Sequence, residues 1–139
     1  MNGANHVING RLEDAIEVIL GLTDQIGVDH AFEAVGIEAT LIQSMKVLKK
    51  GGTATLLGIF ENPSVTLPAN LIVQREITLI GSQGYNWDFQ DSLTLLKEEV
   101  VKLNQLITHR LPLERLQEGF ELLLNADNEA VKVVIQFDR

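Results

Sequence analysis

Apolar residues along this chain follow two alternating patterns. Runs rich in Val, Ile and Thr are typical of β-strands, whereas apolar residues spaced three and four apart are typical of amphipathic helices. The first pattern predicts strands at 6–8, 28–35, 53–59, 77–81, 106–111 and 131–137. The second predicts helices at 12–22, 41–48, 69–74, 89–103 and 113–123. Strands that alternate with helices predict an α/β fold with a parallel sheet and flanking helices.

Glycines and lysines mark the predicted ends of these elements. The strand at 28–35 reads as buried and ends at Gly36. The glycine pair at 51–52 is expected to stop the second helix in the usual C-terminal manner. Lys46, Lys49 and Lys50 would then form the solvated end of that helix, where positive charge is favourable.

Three side chains stand out as candidates for a role beyond packing. Glu33 lies near the end of a buried strand, where a carboxylate needs a partner. Hydrogen bonds to neighbouring backbone N–H groups are the favoured interpretation, and contact with a ligand at the carboxyl edge of the sheet is the alternative. Tyr85 and Trp87 follow another strand; packing against the domain is favoured for them over stacking on a ligand.

The sequence lacks the motifs of several common active sites. It has no G-x-G-x-x-G loop, and its nearest segment, Gly81-Ser82-Gln83-Gly84, reads as a loop at a strand end. It also has no G-x-S-x-G elbow and no cysteine. The three histidines, His6, His30 and His109, are too far apart to predict a self-contained zinc site.

Composition narrows the classes of partner and compartment. The chain has 139 residues, enough for one core, and a net charge of -8 from 19 acidic and 11 basic residues. A field of that sign repels a phosphate backbone, so nucleic acid is not an expected partner. No apolar run approaches the roughly 20 residues of a membrane span. The N-terminus has no signal-peptide pattern, so a cytoplasmic location is expected.

An ordered series of short phrases nevertheless resembles one family. GANHVIN at 3–9 and GVDHAFEAVG at 27–36 resemble the third and fourth strands of the nucleotide domain of medium-chain dehydrogenases/reductases. KGGT at 50–53, LGI at 57–59 and ITLIGS at 77–82 resemble its next two strands. ITHRLPL at 107–113, GFEL at 119–122 and KVVI at 132–135 complete the series. The ITH segment favours the zinc-containing alcohol, sorbitol, butanediol and threonine dehydrogenases over zinc-free quinone reductases.

This resemblance implies a reaction and a set of cofactor contacts. The family transfers hydride between NAD(P) and an alcohol, with zinc polarising the oxygen. Ala34 and Val35 would line the adenine side of the cofactor cleft. Carbonyls of Leu57 and Gly81 and the N–H of Gln83 would bind the nicotinamide carboxamide. The further cofactor-binding positions implied by the resemblance are Gly58, Ile59, Ser82 and, near the pyrophosphate, Lys132.

The resemblance also implies that much of the enzyme is missing. The catalytic domain, the glycine loop and the first strand-helix-strand unit have no counterpart here, so the chain resembles an inactive C-terminal fragment with a partial Rossmann-type sheet. Residues 1–104 would belong to the NAD-binding domain, and 105–139 would accompany the catalytic domain. NAD(P) and zinc, the cofactors of complete enzymes, are not expected to bind tightly. A non-catalytic assembly module derived from such an enzyme is the alternative.

Two expectations about strand edges follow. In the family the sixth strand pairs with its counterpart in a second subunit, so Ile77, Leu79 and Ile80 predict a homodimer or a higher oligomer. In the order 3-2-1-4-5-6 the missing strands separate the third from the fourth. The strand at 28–35 would therefore lose a neighbour, and we expect either 7–8 or a strand from a second copy to pair with it. The last strand is expected to join an edge.

Overall fold

The structure, a computed structural model, describes residues 3–85, 87–100, 103–125 and 129–137. These residues form two compact units, one up to position 85 and one from position 87 onward. The division at 104/105 expected from the resemblance refers to the complete enzyme and stays a prediction.

The first unit is a three-stranded parallel sheet with helices between its strands. Its elements, in chain order, are α1 (Ala15–Leu22), β1 (Val28–Glu33), α2 (Glu38–Lys46), β2 (Leu48–Leu56), α3 (Ala69–Arg75) and β3 (Thr78–Gly81). The sheet order is β1-β2-β3, and both pairings are parallel. The predicted α/β class is confirmed.

The core of this unit lies between the sheet and α2. Leu41 and Met45 of α2 are buried against Leu48 and Ala54 of β2, and Ile77 closes the cluster. Leu41 and Met45 share a helix face because they are four residues apart. Sheet and helix therefore bury a common apolar layer.

The second unit contains a two-stranded parallel sheet. Its elements are α4 (Asp88–Lys97), β4 (Ile107–Pro112), α5 (Leu116–Leu124) and β5 (Lys132–Gln136), with short 3-10 helices at Leu103–Leu106 and Leu113–Arg115. The last strand, expected to join an edge, pairs with β4. Part of the predicted helix at 89–103, positions 101–102, lies outside the described residues. Among the helices that are described, none is long and apolar enough to cross a membrane.

The predicted helix stop at 51–52 is wrong. Helix α2 ends at Lys46, and both glycines lie inside β2. The carbonyl of Val47 accepts a hydrogen bond from the Val28 N–H (2.9 Å), which draws the chain into the sheet directly after the helix. The pairing between β1 and β2 then shifts register, so Gly51 and Gly52 lie in a bulge.

Lys46, Lys49 and Lys50 are predicted to form the solvated end of the helix, and this prediction is wrong for two of them. Lys46 is in the last turn of α2, but Lys49 and Lys50 belong to β2. Lys49 forms an ion pair with Asp29 of β1, and Lys50 forms one with Glu76 (3.0 Å). The early end of α2 is the reason for the difference.

The predicted strand at 6–8 is also wrong, and so is its pairing with β1. This segment has no regular secondary structure, and Val7 is exposed. Two apolar residues make too few ladder bonds to hold an edge by themselves. Within the described chain, strand β1 pairs with β2 alone, so the other edge of β1 is open. The strand as a whole is only partly buried. Pairing with a second copy stays a prediction.

Candidate functional site

The carboxyl ends of the three strands of the first unit meet at one edge. Glu33 pairs in register with Leu56, and Leu56 pairs with Gly81. Ligands of open parallel sheets bind outside this edge. The structure brings together there the predicted cofactor-binding residues that lie at or just after the ends of the three strands: Ala34, Val35, Leu57, Gly58, Ile59, Gly81, Ser82 and Gln83.

Backbone hydrogen bonds continue past the strand ends and hold these segments side by side. The N–H groups of Leu57 and Gly58 both donate to the Glu33 carbonyl, at 2.7 and 3.1 Å. The N–H of Ser82 donates to the Leu56 carbonyl at 2.9 Å. The edge is therefore a fixed backbone surface and not a set of independent loops.

Two backbone groups on this surface have no partner within the described residues. No hydrogen bond reaches the Leu57 carbonyl, and none is made by the Gln83 N–H. An amide group offers two donors and one acceptor, so one carbonyl and one N–H are complementary to it. These are two of the groups that the resemblance assigns to the nicotinamide carboxamide, and the edge fits that assignment chemically.

Two glycines bring the turns after β1 and β2 into backbone contact. Gly36 has φ +86°, and a Cβ on it would lie 2.8 Å from the Ile59 carbonyl carbon. A Cβ on Gly58 would lie 2.7 Å from the Gly36 Cα. Neither position has room for a side chain. The role of Gly36 in this contact was not predicted, although its place directly after a strand was a signal.

Glu33 lies beneath this contact and holds the turn after β1. It is 2% exposed, and its Oε1 accepts hydrogen bonds from the N–H of Val35 and of Gly36, both at 2.9 Å, and from the Thr40 hydroxyl at 2.7 Å. The favoured interpretation of Glu33, binding to neighbouring N–H groups, is confirmed. Its Oε2 is buried with no hydrogen-bond partner among the described residues.

The ionisation of Glu33 reflects these contacts. Burial is the largest single influence on its pKa and raises it, because a buried carboxylate loses hydration. The hydrogen bonds from Thr40, Gly36 and Val35 favour the charged form and together outweigh burial, so the pKa lies below its ordinary value of 4.5. Glu33 is therefore a structural carboxylate that is ionised at neutral pH.

Two of the other candidates, Lys132 and Trp87, belong to the second unit, and Tyr85 lies at the end of the first. Lys132 is an exposed residue of β5 in the second unit, and its proposed contact with the pyrophosphate stays a prediction. The packing interpretation of Tyr85 and Trp87 is wrong: the two residues are 88% and 87% exposed, and the described residues next to them along the chain are exposed as well.

The described residues do not fit a zinc ion. Nowhere among them do three His, Asp or Glu side chains converge as metal ligands. No step of a reaction is therefore assigned to a metal held by this chain.

Known proteins resemble this chain in both sequence and fold. The sequence profile described as "Zinc-binding dehydrogenase" matches residues 1–98. D-arabitol-phosphate dehydrogenase of Enterococcus avium is 30% identical over 135 residues, which are 96% of this chain and 38% of that protein. Sorbitol dehydrogenase of Bacillus subtilis strain 168 is 31% identical over 137 residues, 99% of this chain and 39% of its own length.

The fold of this chain also matches that of a solved dehydrogenase structure. A zinc-binding dehydrogenase from Sinorhizobium meliloti 1021, bound to NADP, superimposes with a TM-score of 0.84 at 25% identity. The superposition covers 96% of this chain and 39% of that one. The chain thus spans about 38% of the length of the curated relatives it matches. Profile, relatives and fold agree, and the chain belongs to the zinc-binding dehydrogenase family.

Proposed function

We propose that this chain is the C-terminal part of a cytoplasmic, zinc-dependent, NAD(P)-linked alcohol or polyol dehydrogenase. It supplies one wall of the cofactor cleft and not a complete active site. The observation that carries this proposal is the edge at which three parallel strands end, with the Leu57 carbonyl and the Gln83 N–H unpaired in the described chain. The names of two relatives, which act on arabitol phosphate and sorbitol, favour a polyol as substrate.

Each part of the edge has a proposed role in binding. The Leu57 and Gly81 carbonyls and the Gln83 N–H orient the carboxamide, so that one face of the nicotinamide ring is turned toward the substrate. Ala34 and Val35 lie at the end of β1 and form the adenine side. When bound, the nicotinamide accepts or donates the hydride. The residues of this chain orient it and exclude water from one side.

The chain alone should be inactive. Its sequence has no glycine-rich loop to bind the pyrophosphate and no converging zinc ligands among the described residues. Each lost hydrogen bond to a charged phosphate removes about 1.5–3 kcal/mol of binding energy. Loss of a cluster of such donors would leave only weak contacts to the nicotinamide and adenine sides.

A non-catalytic assembly module is the second candidate. The open edge of β1, together with exposed apolar side chains such as Phe32 and Val35, favours this alternative. The DNA preceding the codon for Met1 separates the two candidates. An in-frame upstream sequence with zinc ligands and G-x-G-x-x-G supports the enzyme, whereas an in-frame stop supports the module.

A chimera tests the enzymatic proposal directly. The matching 39% of the Bacillus subtilis sorbitol dehydrogenase would be replaced by this chain, and NAD-linked sorbitol oxidation would be followed by absorbance. Gln83→Pro removes the proposed backbone donor, whereas Gln83→Ala keeps it. We expect activity in the parent chimera and in Gln83→Ala, and a large loss in Gln83→Pro. A folded chimera that binds no cofactor would contradict the proposal.

A further inference from the structure

Glu33 is a buried negative charge with no counter-ion among the described residues. The groups that hydrogen-bond to its carboxylate are the N–H groups of Val35 and Gly36 and the Thr40 hydroxyl, and all three are neutral. None of the ion pairs in the described chain includes Glu33. The hydrogen bonds hold the pKa of Glu33 below its ordinary value, so the carboxylate is charged at neutral pH. A full negative charge in the first unit is therefore balanced by dipoles alone.

The basic residues of the first unit lie away from the carboxyl ends of its strands. The two ion pairs described in this unit are near the starts of the strands: Lys49 with Asp29 and Lys50 with Glu76. No Lys or Arg occurs in any of the segments that follow a strand of this unit: 34–37, 57–68 and 82–85. The carboxyl edge therefore has no basic side chain of its own to neutralise Glu33.

The free oxygen of Glu33 lies next to the backbone of this edge. Its Oε2 is buried without a hydrogen-bond partner in the described chain, and a Cβ on Gly58 would be 2.6 Å from it. The neighbouring Leu57 is 46% exposed, with its carbonyl unpaired among the described residues. Glu33 is in register with Leu56, and adjacent strands are about 4.8 Å apart. A group bound to the Leu57 carbonyl would thus lie within about one Debye length of the charge, roughly 10 Å.

We propose that Glu33 makes this edge favour the oxidised form of the nicotinamide. The oxidised ring is a cation and the reduced ring is neutral, whereas both have the same carboxamide. The Leu57 carbonyl and the Gln83 N–H cannot distinguish two rings with one carboxamide. A negative charge beneath the edge can, because it attracts only the cation. Glu33 is thus a residue that determines specificity for oxidation state, and the inference rests on the proposed function because it takes the carboxamide to bind at this edge.

Two ribosides test this role of Glu33 in the full chain. Nicotinamide riboside is a cation and its reduced form is neutral; neither has a phosphate, so the lack of a glycine-rich loop does not affect the comparison. Dissociation constants would be measured from the amide resonances of Gly58 and Ser82. We expect Glu33→Gln to reduce the preference for the cation, expressed as the ratio of the two constants, by roughly threefold to tenfold. An unchanged ratio would overturn the proposal.

A third riboside tests the parent chain without any substitution. Benzamide riboside keeps the planar aromatic ring and the carboxamide, but carbon replaces the charged ring nitrogen. The parent chain should bind it at least roughly threefold more weakly than nicotinamide riboside, because only the charge differs. Equal binding of these two ribosides would contradict the proposal, even if Glu33→Gln did not fold.

Two control variants separate the charge of Glu33 from its structural role. Thr40→Val removes a hydrogen bond to Glu33 but leaves its charge, so both forms of the riboside should be affected alike. Glu61→Gln removes an exposed charge from the turn after β2, where water and salt screen it. The ratio of dissociation constants should stay within about twofold of the parent value in both controls. If Thr40→Val lowers the ratio as much as Glu33→Gln does, Glu33 acts through structure and the proposal is wrong.

The outcomes also separate this inference from the proposed function. Shifts at Gly58 and Ser82 with a ratio that does not respond to Glu33→Gln would leave the cofactor edge in place and refute the role of Glu33. If neither nicotinamide riboside shifts these resonances at millimolar concentration, the assignment of the cofactor edge fails and this inference fails with it.

Discussion

Gly58 lies directly against the buried carboxylate of Glu33: a Cβ atom on Gly58 would be 2.6 Å from Glu33 Oε2. The same atom would be 2.7 Å from the Gly36 Cα, so backbone and buried side chain both occupy the space. Glu33 in turn binds the N–H of Gly36. The turn after β1 and the turn after β2 are therefore locked together at the edge that we propose faces the cofactor.

The first prediction is that Gly58→Ala destabilises the first unit. The added methyl group meets backbone atoms that cannot move without disturbing two turns, and overpacking of this kind costs about 1–3 kcal/mol. The free energy of unfolding, measured by urea denaturation, should fall by that amount.

Gly81→Ala is the matched control for this change. Gly81 is also at a strand end, but a Cβ there would meet no atom within 4 Å, so its effect should be within about 0.5 kcal/mol. If both substitutions have the same small effect, the backbone contact at Gly58 is not as tight as the structure indicates.

The second prediction concerns acid stability. The pKa of Glu33 in the folded chain is below its ordinary value of 4.5 because three hydrogen bonds outweigh burial. The ionised carboxylate therefore stabilises the fold fully above pH 4.5, and this contribution is lost as the pH falls through the folded-state pKa. Urea midpoints should show the parent chain more stable than Glu33→Gln at neutral pH.

The difference between these two chains should narrow as the pH is lowered below 4.5. Asp29 and Glu118 also have lowered pKa values, owing mainly to hydrogen bonds from Lys49 and Arg115, but both are present in parent and variant. Their contributions therefore cancel in the comparison. A gap between parent and Glu33→Gln that stays constant with pH would show that Glu33 is not the group responsible.

Local patterns predicted much of the fold but failed where a distant contact decided the outcome. The helix at Ala69–Arg75 was predicted from its own residues and is present. Leu48 continues the helical spacing of Leu41 and Met45, yet it begins β2. Leu48 lies in a strand because it pairs with Val28, which is twenty residues away along the chain. The local spacing of apolar residues gives no indication of this pairing.

Some features of the candidate site could likewise be predicted from the sequence, and others could not. Parallel strands place their carboxyl ends together, so the grouping of Leu57 with Gly81 could be predicted from the element order. The hydrogen bond from Thr40 to Glu33 could not, because it crosses a turn and depends on where α2 begins. The exposure of Tyr85 was missed because an aromatic residue in a sequence gives no indication of whether neighbours cover it.

The third prediction concerns self-association through β3. We propose that this edge strand pairs with its counterpart in a second copy, because it has neither Lys nor Pro to protect it. Leu79 packs against the core, whereas Ile80 is 48% exposed, so Ile80→Lys is the variant that tests the edge without disturbing the interior. Light scattering should show an assembly for the parent chain and a smaller mass for Ile80→Lys. A parent chain that is monomeric at high micromolar concentration would refute this proposal.

The last prediction is that the chain by itself binds NAD weakly and binds it at one place. Weak binding follows from the sequence, which has no glycine-rich loop to bind the pyrophosphate. Isothermal titration at micromolar concentrations should therefore give no saturable heat. At millimolar nicotinamide mononucleotide, amide resonances of Gly58, Ser82 and Gln83 should shift, because these N–H groups lie at the edge that we propose binds the carboxamide. Gln83→Pro should suppress the shifts at the remaining positions and Gln83→Ala should retain them. Tight binding, or shifts confined to the second unit, would mean that the cofactor contacts were assigned to the wrong residues.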